Sequence, residues 1–195
     1  MEKHRLVLRV GDGIATAFRS LALVLLCLLT GCLVPGEGGG VPLLEVSSGA
    51  FAPGGTIPAM YTCDGANVSP ALSWGAPPPG TVGIAILVTD PDAPGGTFIH
   101  WVAYNISPGT RGIPAGGPRR TVLPAGSVQG TNDFGGPGYG GPCPPRGRPH
   151  HYYFTVYALD ANITLAGKGD GRMLLGALGG HVLAEGEIVG IYRRA

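Results

Sequence analysis

The chain is poor in charged residues. Only 13% of its 195 residues are Asp, Glu, Lys or Arg, and the formal net charge at pH 7 is +1. The basic residues form no continuous block, whereas a nucleic-acid surface requires a basic patch or stripe. We therefore expect no nucleic-acid partner. Intrinsic disorder is also disfavoured, because disordered chains combine high charge with low hydrophobicity and 44% of this chain is hydrophobic.

Common catalytic and metal motifs are missing as well. The sequence has no GxSxG nucleophile elbow, no HExxH helix and no glycine-rich phosphate loop followed by Lys-Ser/Thr. It also lacks the CxxC pairs that are typical of structural zinc sites. These absences predict no resident metal or cofactor, and they favour a binding protein over an enzyme.

Glycine and proline are abundant. The 36 glycines and 19 prolines cluster between apolar, β-branched runs, which is the pattern of turns and long loops in a β-rich domain. The longest such stretch, residues 107–150, shows little periodicity. A structureless loop of this length in a compact domain usually carries function or contains short hidden elements.

The N-terminus has the features of an export signal. Residues 1–31 combine basic side chains with a short apolar stretch, which is typical of a signal peptide. Leu29-Thr30-Gly31-Cys32 is similar to a bacterial lipobox, and this similarity predicts Cys32 as the lipidated first residue of an exported, membrane-anchored lipoprotein facing the periplasm or the cell exterior. The alternative is a plain secretory signal with an incidental cysteine. Residues 32–42 are predicted to be a Gly/Pro-rich tether, and residues 43–195 a folded domain.

Two cysteines remain in the predicted mature domain. Once Cys27 is removed with the signal and Cys32 is lipidated, Cys63 and Cys143 have one possible pairing. An exported protein meets an oxidising compartment, which favours a disulfide. The alternative is a pair of free or separately buried thiols.

The domain is predicted to be mainly β. Residues 82–90 are continuously apolar, as in a strand buried on both faces, and Asp170 is placed to cap a helix over residues 171–184. No βαβ alternation is present, so we predict antiparallel sheets packed face to face, with a few peripheral helices. The main predicted strands are residues 43–51, 82–90, 100–106, 151–160 and 187–194.

Polar residues gather where predicted strands begin or end. Asp90 and Asp92 follow the apolar strand 82–90, His100 opens the next strand, and His150 and Tyr152 lie at the start of a later one. A carboxylate after so apolar a strand needs a polar partner, and His100, His150 and His151 are candidates, together with Tyr152 as a hydroxyl donor.

Three kinds of site are compatible with these residues. Histidines, a tyrosine hydroxyl and the backbone N–H groups of residues 138–142 would form an anion pocket, with the carboxylates favouring protonated imidazoles. Two histidines and one aspartate would also suit an open zinc site, or would act as an acid–base pair in hydrolysis. A fourth possibility is structural: Asp-Pro-Asp is most often a turn with side-chain caps.

Several ordered motifs of the chain resemble the phosphatidylethanolamine-binding protein family. They are DPDAP at 90–94, HW at 100–101, GPCPP at 141–145 and HHYYFTVYALD at 150–160. The segments YTCDGANVSPALSW and GTNDFGGPGYGGPCPPRGRPHHY are similar to its bacterial YbhB/YbcL branch, often called Raf kinase inhibitor-like. The likeness spans residues 43–194.

The resemblance implies a fold of two packed antiparallel sheets and a shallow pocket for phosphate-like groups. Carried over motif by motif, the ligand-binding residues are Asp90, Asp92, His100, Pro142, His150 and Tyr152. His151 stands where many members have arginine.

The leading hypothesis is therefore a small-anion-binding module with a lipid anchor. One alternative is a protein-interaction module that binds a protein partner through the surface of residues 107–149, in the manner of a protease or kinase inhibitor. The other is a hydrolase that uses His100 or His150 as acid and base.

Overall fold

A computed structural model describes residues 41–116, 123–167 and 169–195. The predicted signal peptide, the lipidation site Cys32 and all but the last two residues of the predicted tether lie outside these ranges. Within them, no helix is both long and apolar enough to cross a bilayer.

Two antiparallel sheets form the framework, as predicted. The larger sheet has the strand order β6-β4-β3-β7-β8, and the smaller has the order β1-β2-β5. The strands are β1 (Val46–Ser47), β2 (Leu72–Trp74), β3 (Gly83–Asp90), β4 (Phe98–Ile106), β5 (Gly112–Ile113), β6 (Val128–Gln129), β7 (His150–Leu159) and β8 (Val182–Tyr192). One α-helix, α1 (Gly171–Leu178), and a 3-10 turn, Ala59–Tyr61, complete the elements of the described ranges.

Strand β3 is the centre of the larger sheet. All of its side chains are buried except that of Thr89, which is half-buried, because hydrophobic layers cover both faces of the sheet. The first layer lies between the two sheets and includes Trp74, Trp101 and Phe154. The second lies beneath α1 and includes Leu174 and Leu178. The predicted strand with two buried faces is confirmed.

Three predicted boundaries are wrong. The helix starts as predicted, with the Asp170 carboxylate accepting the Met173 N–H at 2.8 Å, but it ends at Leu178 instead of residue 184. Gly180 adopts a left-handed conformation, with φ of 81°, and turns the chain so that β8 begins at Val182 instead of residue 187. Residues 43–51 contain only the two-residue strand β1, together with a single parallel bridge from Leu43 to Glu185.

The long segment 107–150 contains the short strands β5 and β6, in line with the expectation of hidden elements. Its second half is tied to the turn at residues 59–66 by a disulfide between Cys63 and Cys143, whose Cα atoms lie 5.4 Å apart. The predicted disulfide is therefore present, and it fixes the loop that carries Gly140 and Pro144 next to the end of β3.

Candidate ligand-binding pocket

One end of the larger sheet collects the polar residues. Strand β3 ends at Asp90, while its two neighbours begin there, β4 at Phe98 and β7 at His150. Since β4 and β7 run antiparallel to β3 on either side of it, the end of one strand and the starts of two others meet. Asp90 therefore lies between His100 of β4 and His150 of β7.

A break in the strand register places His100. Val88 is paired with Trp101 and Thr89 with Ile99, so His100 is an extra residue without a partner on β3. β-bulges of this kind re-aim a side chain and are frequent beside functional sites. The buried ring of His100 packs edge-on against Tyr152, with centroids 5.2 Å apart. Its Nδ1 lies 2.7 Å from the carbonyl oxygen of Gly140.

Asp90 holds His150 and also caps the turn. Its Oδ2 lies 2.8 Å from His150 Nδ1, and the two side chains are only 5% and 3% exposed. Its Oδ1 accepts the N–H of Asp92 at 2.9 Å. Asp90 therefore caps the turn with one carboxylate oxygen and holds His150 with the other.

These residues open into a cavity of about 200 Å³. That volume is below the roughly 300–1,000 Å³ of pockets for drug-sized ligands, so the cavity suits a small chemical group. Its polar wall is formed by Asp90, His100 and His150, and its apolar wall consists of Ala93, Pro94, Phe98, Phe134, Cys143, Pro144 and Pro145.

Phe98 and Phe134 were missed by the sequence reasoning. Their rings pack against each other at 4.8 Å and against His100 at 5.0 and 5.4 Å. Phe98 is paired directly with Asp90 across β3 and β4, but it precedes the predicted strand 100–106, so pairing the two predicted strands would not have reached it. Phe134 belongs to the aperiodic segment 107–150, in which no pattern marked it.

The hydrogen bonds define which nitrogen each histidine offers to a ligand. A carbonyl oxygen can only accept, so His100 Nδ1 carries a proton toward Gly140. Burial lowers the pKa of His100, so its ring is neutral at pH 7 and its Nε2 presents a lone pair. His150 Nδ1 faces the Asp90 carboxylate in the same way. Each ring thus keeps Nε2 for a ligand in the cavity.

The other three candidates from the sequence lie outside the cavity wall. The Asp92 carboxylate contacts the exposed His151, with its Oδ2 2.7 Å from Nδ1 and 2.8 Å from the backbone N of that residue, and these hydrogen bonds lower the pKa of Asp92. Pro142 contributes a carbonyl that accepts the Cys63 N–H at 3.0 Å.

Tyr152 supports the cavity from behind His100. Its hydroxyl is buried and makes no hydrogen bond of normal geometry in the described ranges, although the Asp90 carboxylate lies close enough to interact with it. Burial, followed by the charge of Asp90, raises the pKa of this hydroxyl, so it stays protonated. A buried donor without a partner is rare, and it lies beside the carboxylate that the pocket is built around.

The expected backbone amides are not available. The N–H groups of Gly138 and Gly140 donate to the carbonyl oxygens of Gly130 and His100, and that of Gly141 donates to Asn67 Oδ1. The prediction that amides of residues 138–142 form an anion nest is wrong for these three. A zinc site also lacks support, because the described part of the chain contains no group of three or more His, Cys, Asp or Glu arranged to hold a metal.

Comparison with known proteins assigns the fold of this chain to one class, the proteins described as phosphatidylethanolamine-binding proteins. The family model with that description matches residues 47–193. A UPF0098 protein of Methanothermobacter thermautotrophicus is 45% identical over 77% of this chain and 99% of its own length. Another, from Pyrococcus horikoshii, is 43% identical over 93% of both chains.

Solved structures agree with this class. Escherichia coli YbcL, described as a member of the mammalian PEBP family, superposes with a TM-score of 0.73 at 37% identity, over 78% of this chain and 99% of YbcL. The PEBP homolog CT736 of Chlamydia trachomatis gives 0.71 at 35% identity, with the same coverage. The chain belongs to the phosphatidylethanolamine-binding protein family, and its likeness is to the YbcL-like branch.

Proposed function

We propose that the pocket binds a small phosphate-like anion. The observation that carries this proposal is the pair of buried imidazoles, His100 and His150, whose Nδ1 atoms are held by Gly140 and Asp90. Because both Nδ1 atoms are engaged, both Nε2 atoms remain for one ligand. Two preoriented nitrogens on opposite sides of Asp90 suit an oxyanion that has several oxygens in fixed directions.

Proton uptake by the imidazoles allows an anion to bind next to the Asp90 carboxylate. An anion near an imidazole favours the protonated ring, which turns Nε2 from an acceptor into a donor. The Asp90 carboxylate by itself repels an anion, but it accepts a hydrogen bond from His150 Nδ1 and so holds that ring in position. Binding is therefore expected to be tighter at lower pH, and to take up protons from solution.

The walls of the cavity select for small ligands. Phenylalanine and proline side chains surround the polar groups and limit the space for a ligand. Away from bulk solvent, a charged hydrogen bond is also stronger than at the surface. The description of the matching family as phosphatidylethanolamine-binding supports a phosphorylated group as the ligand.

A hydrolase is less well supported. The cavity wall contains no Ser, Thr or Lys side chain, and its one cysteine is held in the disulfide with Cys63. Covalent catalysis by a Ser, Thr, Lys or Cys of the cavity wall is therefore not available, and hydrolysis would require His100 or His150 to activate a water molecule. The protein-interaction alternative, through residues 107–149, is separated from anion binding by its response to mutation: it predicts that His100→Ala leaves partner binding intact.

The test is a calorimetric titration of the purified protein with phosphate, phosphoethanolamine and, as a control, zinc. We expect phosphate to bind the wild type and His150→Ala to lose at least about tenfold in affinity, which corresponds to about 1.4 kcal/mol. Absence of phosphate binding, or binding of zinc in its place, would contradict the proposal.

We further propose that the protein is exported and anchored through lipidated Cys32. The support is the sequence: a basic and apolar leader followed by Leu29-Thr30-Gly31-Cys32. A Cys32→Ala variant should then leave the membrane fraction of cells that express the full chain. Unchanged partitioning between membrane and soluble fractions would refute the lipid anchor.

A further inference from the structure

A second cavity adjoins the pocket. This groove has a volume of about 370 Å³ and is lined by Cys63, Asn67, Asn132, Phe134, Gly136, Tyr139, Gly140 and Gly141. Phe134 lines both cavities. The disulfide also joins them, because Cys63 belongs to the groove and Cys143 to the pocket. The pocket and the groove therefore share one wall, formed by one aromatic side chain and one disulfide.

The wall between the pocket and the groove is exposed to solvent along one edge. Phe134 is 53% exposed, and its backbone N–H is anchored to Asn132 Oδ1 at 3.0 Å. Its ring rests on Phe98 and His100. A ligand group held between the two histidines can therefore continue across the exposed edge of Phe134 into the groove without displacing the core.

The groove is polar but uncharged. None of its lining residues carries a formal charge. Its two acidic neighbours in sequence are both neutralised: Asp64 is bound by Arg194 at 3.0 Å, and Asp133 by Arg172 at 3.0 Å. No lining side chain can therefore form an ion pair with a charged substituent, whereas the hydroxyls of a neutral substituent can hydrogen-bond with the amide groups of the lining.

Asn67 supplies the specific polar group. It adopts a left-handed backbone conformation, with φ of 54°, which asparagine tolerates better than most residues. Its Oδ1 accepts the Gly141 N–H at 2.7 Å, and this contact requires glycine, because a Cβ at Gly141 would lie 2.6 Å from that oxygen. With Oδ1 fixed, the exposed amide Nδ2 has a set direction and is available to donate.

We propose that the groove is a second subsite of the same ligand, and that the ligand is a phosphate ester of a small, uncharged, hydroxylated group. The phosphate lies between His100 and His150, and the substituent crosses Phe134 to reach Asn67. This inference rests on the proposed function, since it uses the pocket as the phosphate subsite.

Gly136 allows the groove to be filled without disturbing the fold. A Cβ at this position meets no atom within 4 Å, and its φ lies outside the left-handed region. Gly136→Leu should therefore fold normally and occupy the groove. Gly176→Leu is the matched control, because Gly176 lies on α1 and is equally free of neighbours.

The experiment compares the affinities of inorganic phosphate, glycerol 3-phosphate and phosphoethanolamine for the wild type and both variants. We expect wild type to bind glycerol 3-phosphate roughly tenfold more tightly than phosphate, and more tightly than phosphoethanolamine. Gly136→Leu should abolish this advantage and leave phosphate affinity unchanged, whereas Gly176→Leu should change neither. Phosphatidylglycerol vesicles are then added to the complex with glycerol 3-phosphate. If the natural ligand is a lipid headgroup, the vesicles should displace the bound ester; if it is a free ester, the ester should stay bound.

The phosphate pocket and the groove can be refuted by different results. If phosphate does not bind the wild type, the proposed function fails and the subsite with it. The groove is not a subsite if glycerol 3-phosphate binds no more tightly than phosphate, or if Gly136→Leu keeps the preference for the ester. In either case the phosphate pocket itself is not contradicted. Tighter binding of phosphoethanolamine than of glycerol 3-phosphate would overturn the assignment of an uncharged substituent.

Discussion

Two aspartate–histidine pairs lie side by side in this protein and differ only in their surroundings. Asp90 contacts His150 at 2.8 Å, and Asp92 contacts His151 at 2.7 Å. The aspartates lie two residues apart on one turn, and the histidines are neighbours on β7. Because strand side chains alternate between the two faces of a sheet, His150 points into the pocket and His151 points to solvent. The inner pair is 3–5% exposed and the outer pair 38–47%.

The comparison shows that the environment, and not the contact distance, decides what such a pair does. Water and salt screen the outer pair, so it is expected to contribute only about 0–1 kcal/mol to stability. The inner pair is shielded from bulk water, so the Asp90 carboxylate and His150 Nδ1 depend on each other as hydrogen-bond partners. Only the inner pair also fixes an imidazole that lines the cavity.

The largest expected effect comes from the disulfide, which forms the wall next to the inner pair. The bond spans a sequence separation of 80 residues, and in the chain-entropy model a loop of this size contributes about 4 kcal/mol. A Cys63→Ser/Cys143→Ser variant should lose that much in the free energy of unfolding, as measured by urea denaturation. It should also bind phosphate more weakly, because the loop that carries Gly140 is released.

The contact between His151 and Asp92 should be less affected in this variant, since neither residue lines the cavity whose wall includes Cys143. If the unfolding free energy of the double variant matched that of the wild type, the disulfide would have no stabilising role in the pocket wall.

A smaller loss of stability, confined to the inner pair and its turn, is expected for Asp90→Ala. The change removes the partner of the buried His150 Nδ1 and the acceptor of the Asp92 N–H. Breaking a buried pair by deleting one partner typically destabilises by about 3–5 kcal/mol, and we expect a loss of about 3 kcal/mol in chemical denaturation.

Asp92→Ala is the matched control for the outer pair. It also removes two hydrogen bonds, both to His151, yet we expect a loss of at most about 1 kcal/mol because the pair is exposed. Equal losses for the two variants would show that burial does not distinguish the pairs.

The third prediction concerns pH and His100. Burial lowers its pKa in the folded protein, so below about pH 6.5, the ordinary histidine pKa, the unfolded chain binds a proton that the folded chain does not. Stability should therefore fall as pH decreases through this window, by at most about 1.4 kcal/mol per pH unit from this residue.

Denaturation of the wild type and of His100→Gln at pH 7, 6 and 5 isolates this contribution, since the other titrating groups are common to both proteins. The variant should show a shallower decline. Parallel pH profiles would mean that His100 does not titrate differently in the folded and unfolded states.

Much of this architecture could be predicted from local patterns. The apolar run 82–90 marked the central strand, and Asp90 at its end required a partner. The late helix was placed correctly at its start, since capping by Asp170 is a local interaction. Its end was not, because Val182 fits both a helical face and a strand, and the turn at Gly180 with pairing to β7 decided between them.

In the pocket, too, some residues follow from local sequence patterns and others depend on the three-dimensional fold. Asp90, His100 and His150 were selected as polar residues at strand ends, and they do line one cavity. The bulge at His100 depends on the register of two strands, and Phe134 reaches the cavity from an aperiodic loop, so neither follows from local sequence. Asp92 and Tyr152 were grouped with the others because spacing alone does not separate a residue on the cavity wall from one beside or behind it.

The central claim is that the inner pair together with His100 binds the anion, while the outer pair does not. It is tested most directly by nuclear magnetic resonance of the histidine ring nitrogens during a phosphate titration. We predict saturable shifts at Nε2 of His100 and His150, in the direction of protonation, with His151 and His181 unchanged. Shifts confined to His151, or no shift at His100 and His150 while phosphate binds, would contradict it.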